Sequence, residues 1–158
     1  MPTVRLSFSP APAHVRTARL VGVAVARRAG VAEELLEEVR LAIGEACSRA
    51  VALHRSHGLD DLVDVAMADG DRFTVRVVDR AANGAVVHKT PQDDAVVLLS
   101  DPALPLTTPP DLLAEEAVAA RMGLALLAGL VDDLNVSELG EGVGTEVRMS
   151  WPLERSSD

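Results

Sequence analysis

Three features of the sequence predict an α+β fold, a two-layer sandwich with helices on one face of a mainly antiparallel, mixed sheet. Two alternating runs, DLVDVAMAD (Asp61–Asp69) and RFTVRVVD (Arg72–Asp79), meet at Asp69-Gly70-Asp71, and Asp-Gly between such runs is a strong hairpin signal. A second pair of strand-like runs, DLNVSEL and TEVRMSWPL, flanks Gly140, Gly142 and Gly144 near the other end. The helical patterns come in blocks between strand pairs rather than alternating singly with strands, which argues against a parallel α/β sheet.

The elements follow in order. TVRLSFS (Thr3–Ser9) has period two, with Val4, Leu6 and Phe8 on one face and Arg5 and Ser7 on the other, the pattern of a half-buried strand. SPAPA stops it, and Pro12 is suited to open a helix. Val15, Ala18, Val21 and Val25 keep helical spacing until Gly30, a natural terminator. A second helix is predicted from Val31 to His54, with Leu36, Val39, Ile43, Ala46, Cys47 and Ala50 as its apolar stripe. The two hairpin strands come next. Residues 80–110 hold five of the nine prolines and little periodicity, so they read as a lid-like loop inside a single domain spanning residues 1–158. A helical pattern from Asp111 to Val131 precedes the closing strands.

Composition narrows the function. The chain has 158 residues, is 48% hydrophobic and 25% charged, and carries a net charge of -9. That charge repels phosphate backbones and anionic membranes, so neither nucleic acid nor membrane is expected as a partner. Aromatics make up 2%, too few for a surface on which bases stack. The one cysteine, Cys47, excludes an internal disulfide and a cysteine-based zinc site. Without a signal peptide or a bilayer-spanning apolar run, a cytoplasmic location is expected.

The second helix poses the chemical question. From Val39 to Leu53 its strongly polar residues are Arg40, Glu45, Ser48 and Arg49, and a helix this apolar is buried on most of its circumference. Glu45 and Arg49 lie four residues apart, on one helical face.

The order of elements, with EEVRLAIGEACSRAV on the second helix, VRVVD on a strand, LTTPPDL, GLALLAGLVDDL and GTEVRMSWPL, resembles the GHKL-type (histidine-kinase-like) ATPases. Within them it looks like the anti-sigma-factor serine kinases of bacterial partner-switching systems. The resemblance implies that Glu45 is the general base for a partner's serine hydroxyl. It implies that Asp79 is the adenine-reading carboxylate, supported by Thr145, and that Thr107 and Thr108 are lid hydroxyls. It also implies a homodimer formed through the sheet side, and Arg19, with Arg16 nearby, in contact with a sigma factor and an antagonist (anti-anti-sigma) protein.

The departures from the family pattern fall on the nucleotide motifs. The asparagine that would ligate magnesium is Arg49, and a guanidinium has five donors and no acceptor. Two readings of Arg49 stay open: an i,i+4 pair with Glu45 that closes an emptied pocket, or a direct contact to phosphates in place of the metal. Ala81 and Asn83 stand where the first motif has glycines, and Ala81 would take positive φ only at a cost. Arg121 replaces the first glycine of the second motif, and Gly123 keeps the second. The expectation is an anti-sigma-like binding protein with a degenerate pocket, weak ATP or ADP binding and no magnesium site, its kinase activity weak or lost. The alternative is an active serine kinase that phosphorylates an anti-anti-sigma factor.

Overall fold

The computed structural model describes residues 3–82, 124–140 and 143–154. Its elements are β1 (Thr3–Phe8), α1 (Pro12–Ala29), α2 (Glu33–Ser56), β2 (Val63–Asp69), β3 (Arg72–Ala82), β4 (Asp133–Glu138) and β5 (Val143–Pro152), with residues 124–130 helical before β4. The five strands form one sheet in the order β1-β2-β3-β5-β4. Every pairing between neighbours is antiparallel, so the parallel component of a mixed sheet is absent among the described residues. The α+β class holds.

Local chemistry explains the element ends. Pro12 occupies the first turn of α1, where its missing N–H costs nothing. At the other end Gly30 takes φ 103°, and the N–H groups of Gly30 and Val31 bond the carbonyls of Arg27 and Ala26 at 3.2 and 3.0 Å. This is a Schellman cap. It uses Val31 as part of the α1 terminus, so α2 starts at Glu33 and not at Val31 as the apolar pattern suggested.

Helix α2 lies on the sheet, and the core is made between them. Val63, Val65 and Met67 of β2, Phe73, Val75 and Val77 of β3, and Val147, Met149 and Trp151 of β5 point to this side and are buried. They meet Val39, Ile43, Ala46 and Ala50 of α2. Each large aliphatic or aromatic side chain so buried stabilises the fold by about 1.5–3 kcal/mol. Phe73 and Trp151 stack at 6.0 Å, and the Trp151 indole N–H donates to a Glu38 carboxylate oxygen at 2.8 Å, fastening α2 to β5. Helix α1 packs beside α2, with Gly22 under Ile43 and the stem of Arg19 lying over Gly44.

Cys47 is fully buried in this layer. Burial pushes its thiol up to about 12, outweighing the opposite pull of the Arg19 charge. The thiolate is the reactive form. Cys47 is therefore expected to stay unlabelled by a disulfide reagent at pH 8 and to react at once in denaturing urea; labelling of the native protein would contradict the packing.

Candidate functional site

The C-terminal half of α2 passes over the far end of β3, and the candidate site lies at that crossing. Residues 42, 46, 49 and 53 make one buried stripe along the helix, whereas 41 and 48 are exposed and 45 and 52 half-buried. The boundary between the two falls between Glu45 and Arg49. Spacing placed them on one face, but only Arg49 is carried under the helix. The pair with Glu45, one of the two readings of Arg49, is therefore not formed.

Instead, Arg49 reaches the sheet. Its Nη1 donates to Asp79 Oδ2 at 3.1 Å, with both side chains at most 2% exposed. The other carboxylate oxygen, Oδ1, accepts the Ala81 N–H at 3.1 Å. Burial pulls the Arg49 guanidinium below its ordinary value, while the Asp79 charge and hydrogen bond oppose that shift. Arg49 Nη2 is buried without a hydrogen-bond partner among the described residues. A buried pair of this kind gains strong attraction but pays heavily in lost hydration.

Three neighbours fix Asp79 in place. Thr145 of β5 stands directly opposite it in the ladder and is buried, the position the resemblance gives to the supporting threonine. Beyond this pair β3 carries one more residue than β5 before Ala82 meets Val143, a β-bulge that re-aims the strand end. Gly144 sits at the bulge with φ 111°, and the Asp79 carbonyl takes the space that a side chain there would need. Ala81 lies within β3 and packs on Leu53. It continues the strand instead of entering a glycine-type turn, so the strain expected from a positive φ in such a turn does not arise. A methyl group simply fills the space.

One participant carried no signal in the sequence. His54, 0% exposed, accepts the Arg80 N–H at Nε2 (2.8 Å) and faces the Asp61 carbonyl with Nδ1 (2.9 Å). Because Nε2 accepts, the proton sits on Nδ1 and is donated to Asp61. His54 thus joins the end of α2 to the residue after Asp79. Nothing but tertiary context distinguishes it from an ordinary histidine in a last helical turn. His54→Leu is expected to lower stability by about 2 kcal/mol, since two buried backbone groups lose their partner; urea unfolding checks this.

The partner-side candidates lie elsewhere. Arg16 is exposed on α1, and Arg19 lines a cleft of about 190 Å³ between α1 and α2. Ser48 and Arg55 of α2 line the same cleft. Glu45 is half-buried on α2 and is not among the residues that line the cleft. Asn83, Thr107, Thr108, Arg121, Gly123 and most of the lid-like loop lie outside the described residues.

A family model, the histidine kinase-like ATPase domain, matches residues 8–151. The chain belongs to this family. No curated protein matches it. The histidine kinase-like ATPase fold implies a nucleotide and magnesium, and the side chains at the two described positions that the resemblance gives to adenine and the metal, Asp79 and Arg49, do not fit that pair. Asp79 has one carboxylate oxygen against a guanidinium and the other on Ala81. The helix position that the resemblance gives to a magnesium-ligating asparagine carries the Arg49 cation. No helix among the described residues is long and apolar enough to cross a membrane.

Proposed function

We propose that this histidine kinase-like domain is a regulatory binding protein of the anti-sigma type. It would hold a sigma factor and release it to a small antagonist protein, using an ATPase scaffold whose nucleotide pocket is closed from within. The observation that carries this reading is the buried Arg49–Asp79 pair. It engages the carboxylate that would read adenine and puts positive charge where the metal would sit. Phosphoryl transfer depends chiefly on positioning and charge neutralisation by the metal, so the chemistry loses its centre while the protein surface is untouched. Partner contact is assigned to α1, where Arg16 is exposed and Arg19 borders the cleft. On a chain of net charge -9 these arginines would steer an acidic partner surface.

A serine kinase is the second reading, and one feature favours it. Glu45 is not captured by Arg49 and has no ion pair among the described residues, so a base remains at the edge of α2. Incubating the purified protein with magnesium, labelled ATP and candidate antagonists separates the two. The proposal expects stable complexes with a sigma factor or antagonist, weakened by Arg19→Ala, and no phosphoserine. Phosphoserine on an antagonist, lost in Glu45→Gln, would establish the kinase instead.

A further inference from the structure

The face of the sheet turned away from the helices carries a charge pattern opposite to that of the whole chain. Residues that alternate with the core-facing positions, as the ladder register sets them, point to it. They include Arg5, Arg72, Arg76, Arg80 and Arg148, against the carboxylates of Asp64, Asp133 and Glu146. Arg72 and Arg80 are spoken for, by Asp133 at 3.8 Å and Asp64 at 3.6 Å. The other three arginines are exposed and have no ion pair among the described residues.

Those three stand in one line. The ladder runs Arg5↔Ala66, Ala66↔Arg76, Arg76↔Arg148 and Arg148↔Asn135, a single row across all five strands. Arg76 and Arg148 face each other directly on neighbouring antiparallel strands, an arrangement that opposes folding. The floor between and beside them is small, with Ala66 in the row and Ala68 and Thr74 in the next. Such a row, exposed and without an ion pair among the described residues, is complementary to a line of carboxylates.

We propose that this row binds an acidic helix of a partner protein, laid across the strands. Strands are about 4.8 Å apart, so from Arg148 the row reaches Arg76 after one spacing, Ala66 after two and Arg5 after three. A helix rises about 1.5 Å per residue with about 3.6 residues per turn. Acidic residues at i, i+4 and i+11, with a small apolar residue at i+7, therefore share one face and fall near Arg148, Arg76, Arg5 and Ala66. A nucleic acid fits less well, because Asp64, Asp133 and Glu146 share the face and no aromatic ring lies on it. A second copy stacked face to face, the homodimer that the resemblance implies, brings the same surplus of arginine against itself and is a separate outcome of the test.

The test uses a fluorescein-labelled helical peptide with glutamates at those three positions and alanine at i+7. Fluorescence anisotropy with the full chain is expected to show binding at low salt that weakens as salt rises. Arg76→Glu and Arg148→Glu should each weaken it by roughly tenfold or more, and a peptide with glutamines should not bind. The same two variants remove the like-charge contact, so their Tm is expected to rise by about 1–3 °C, which separates lost binding from lost folding. No binding by the parent protein, equal binding by the variants, or stronger binding of a duplex DNA control would overturn the proposal. So would a change of sedimentation mass on Arg76→Glu, which would assign the face to self-association.

Discussion

Replacing Arg49 by Met is expected to destabilise the protein by about 3–5 kcal/mol, or a Tm loss of roughly 10 °C for a chain of this size. Methionine matches the stem of arginine in length, so the loss is not one of packing. It arises because Asp79, 1% exposed, is left as a buried carboxylate with no counter-charge. Adding Asp79→Asn tests the cause. The amide keeps an oxygen for the Ala81 N–H but carries no charge, so the double variant should recover at least half of the loss. If the double variant is as unstable as the sum of the single ones, the pair does not interact as described. The intact pair is itself no great source of stability, since Arg49 Nη2 has no partner among the described residues and burial of both charges is costly.

The second large effect is expected at Gly144. An added methyl group would meet the Asp79 carbonyl oxygen and the Arg80 α-carbon, both backbone atoms that cannot rotate away. The left-handed φ of 111° adds a penalty of its own. Gly144→Ala should therefore cost about 3 kcal/mol or more. Gly58 supplies the control, because it has φ +64° and open space around the methyl position. Gly58→Ala carries only the backbone penalty, about 1 kcal/mol. Equal urea midpoints for the two variants would show that the bulge beside Asp79 yields more easily than its geometry implies.

Much of this architecture could be read from one-dimensional pattern. Period-two alternation located β1 and the Asp-Gly hairpin, and the Pro12 and Gly30 signals bounded α1, because these features are local. The start of α2 could not be read so closely, since Val31 serves the cap of the preceding helix. At the site, the resemblance pointed to Asp79, Thr145 and Arg49, but not to their connection. Spacing of four suggested Glu45 as the partner of Arg49. The choice of Asp79 depends on how α2 is rotated over β3, and that is set by the packing of Ala46, Ala50 and Leu53, not by helical repeat alone. His54 was invisible for the same reason, as both its hydrogen bonds go to backbone groups brought near by tertiary folding. The arginine row on the open face needed strand register, which places Arg5, Arg76 and Arg148 side by side although 71 and 72 positions separate them in sequence.

The most direct measurement is a calorimetric titration of ATP into the parent protein and the Arg49→Asn/Ala81→Gly variant, each with and without magnesium. On the proposed closure of the pocket by Arg49 and Asp79, the parent should bind ATP weakly or not at all and be indifferent to magnesium, while the variant gains affinity that the metal strengthens. Tight binding of ATP by the parent, strengthened by magnesium, would contradict the account.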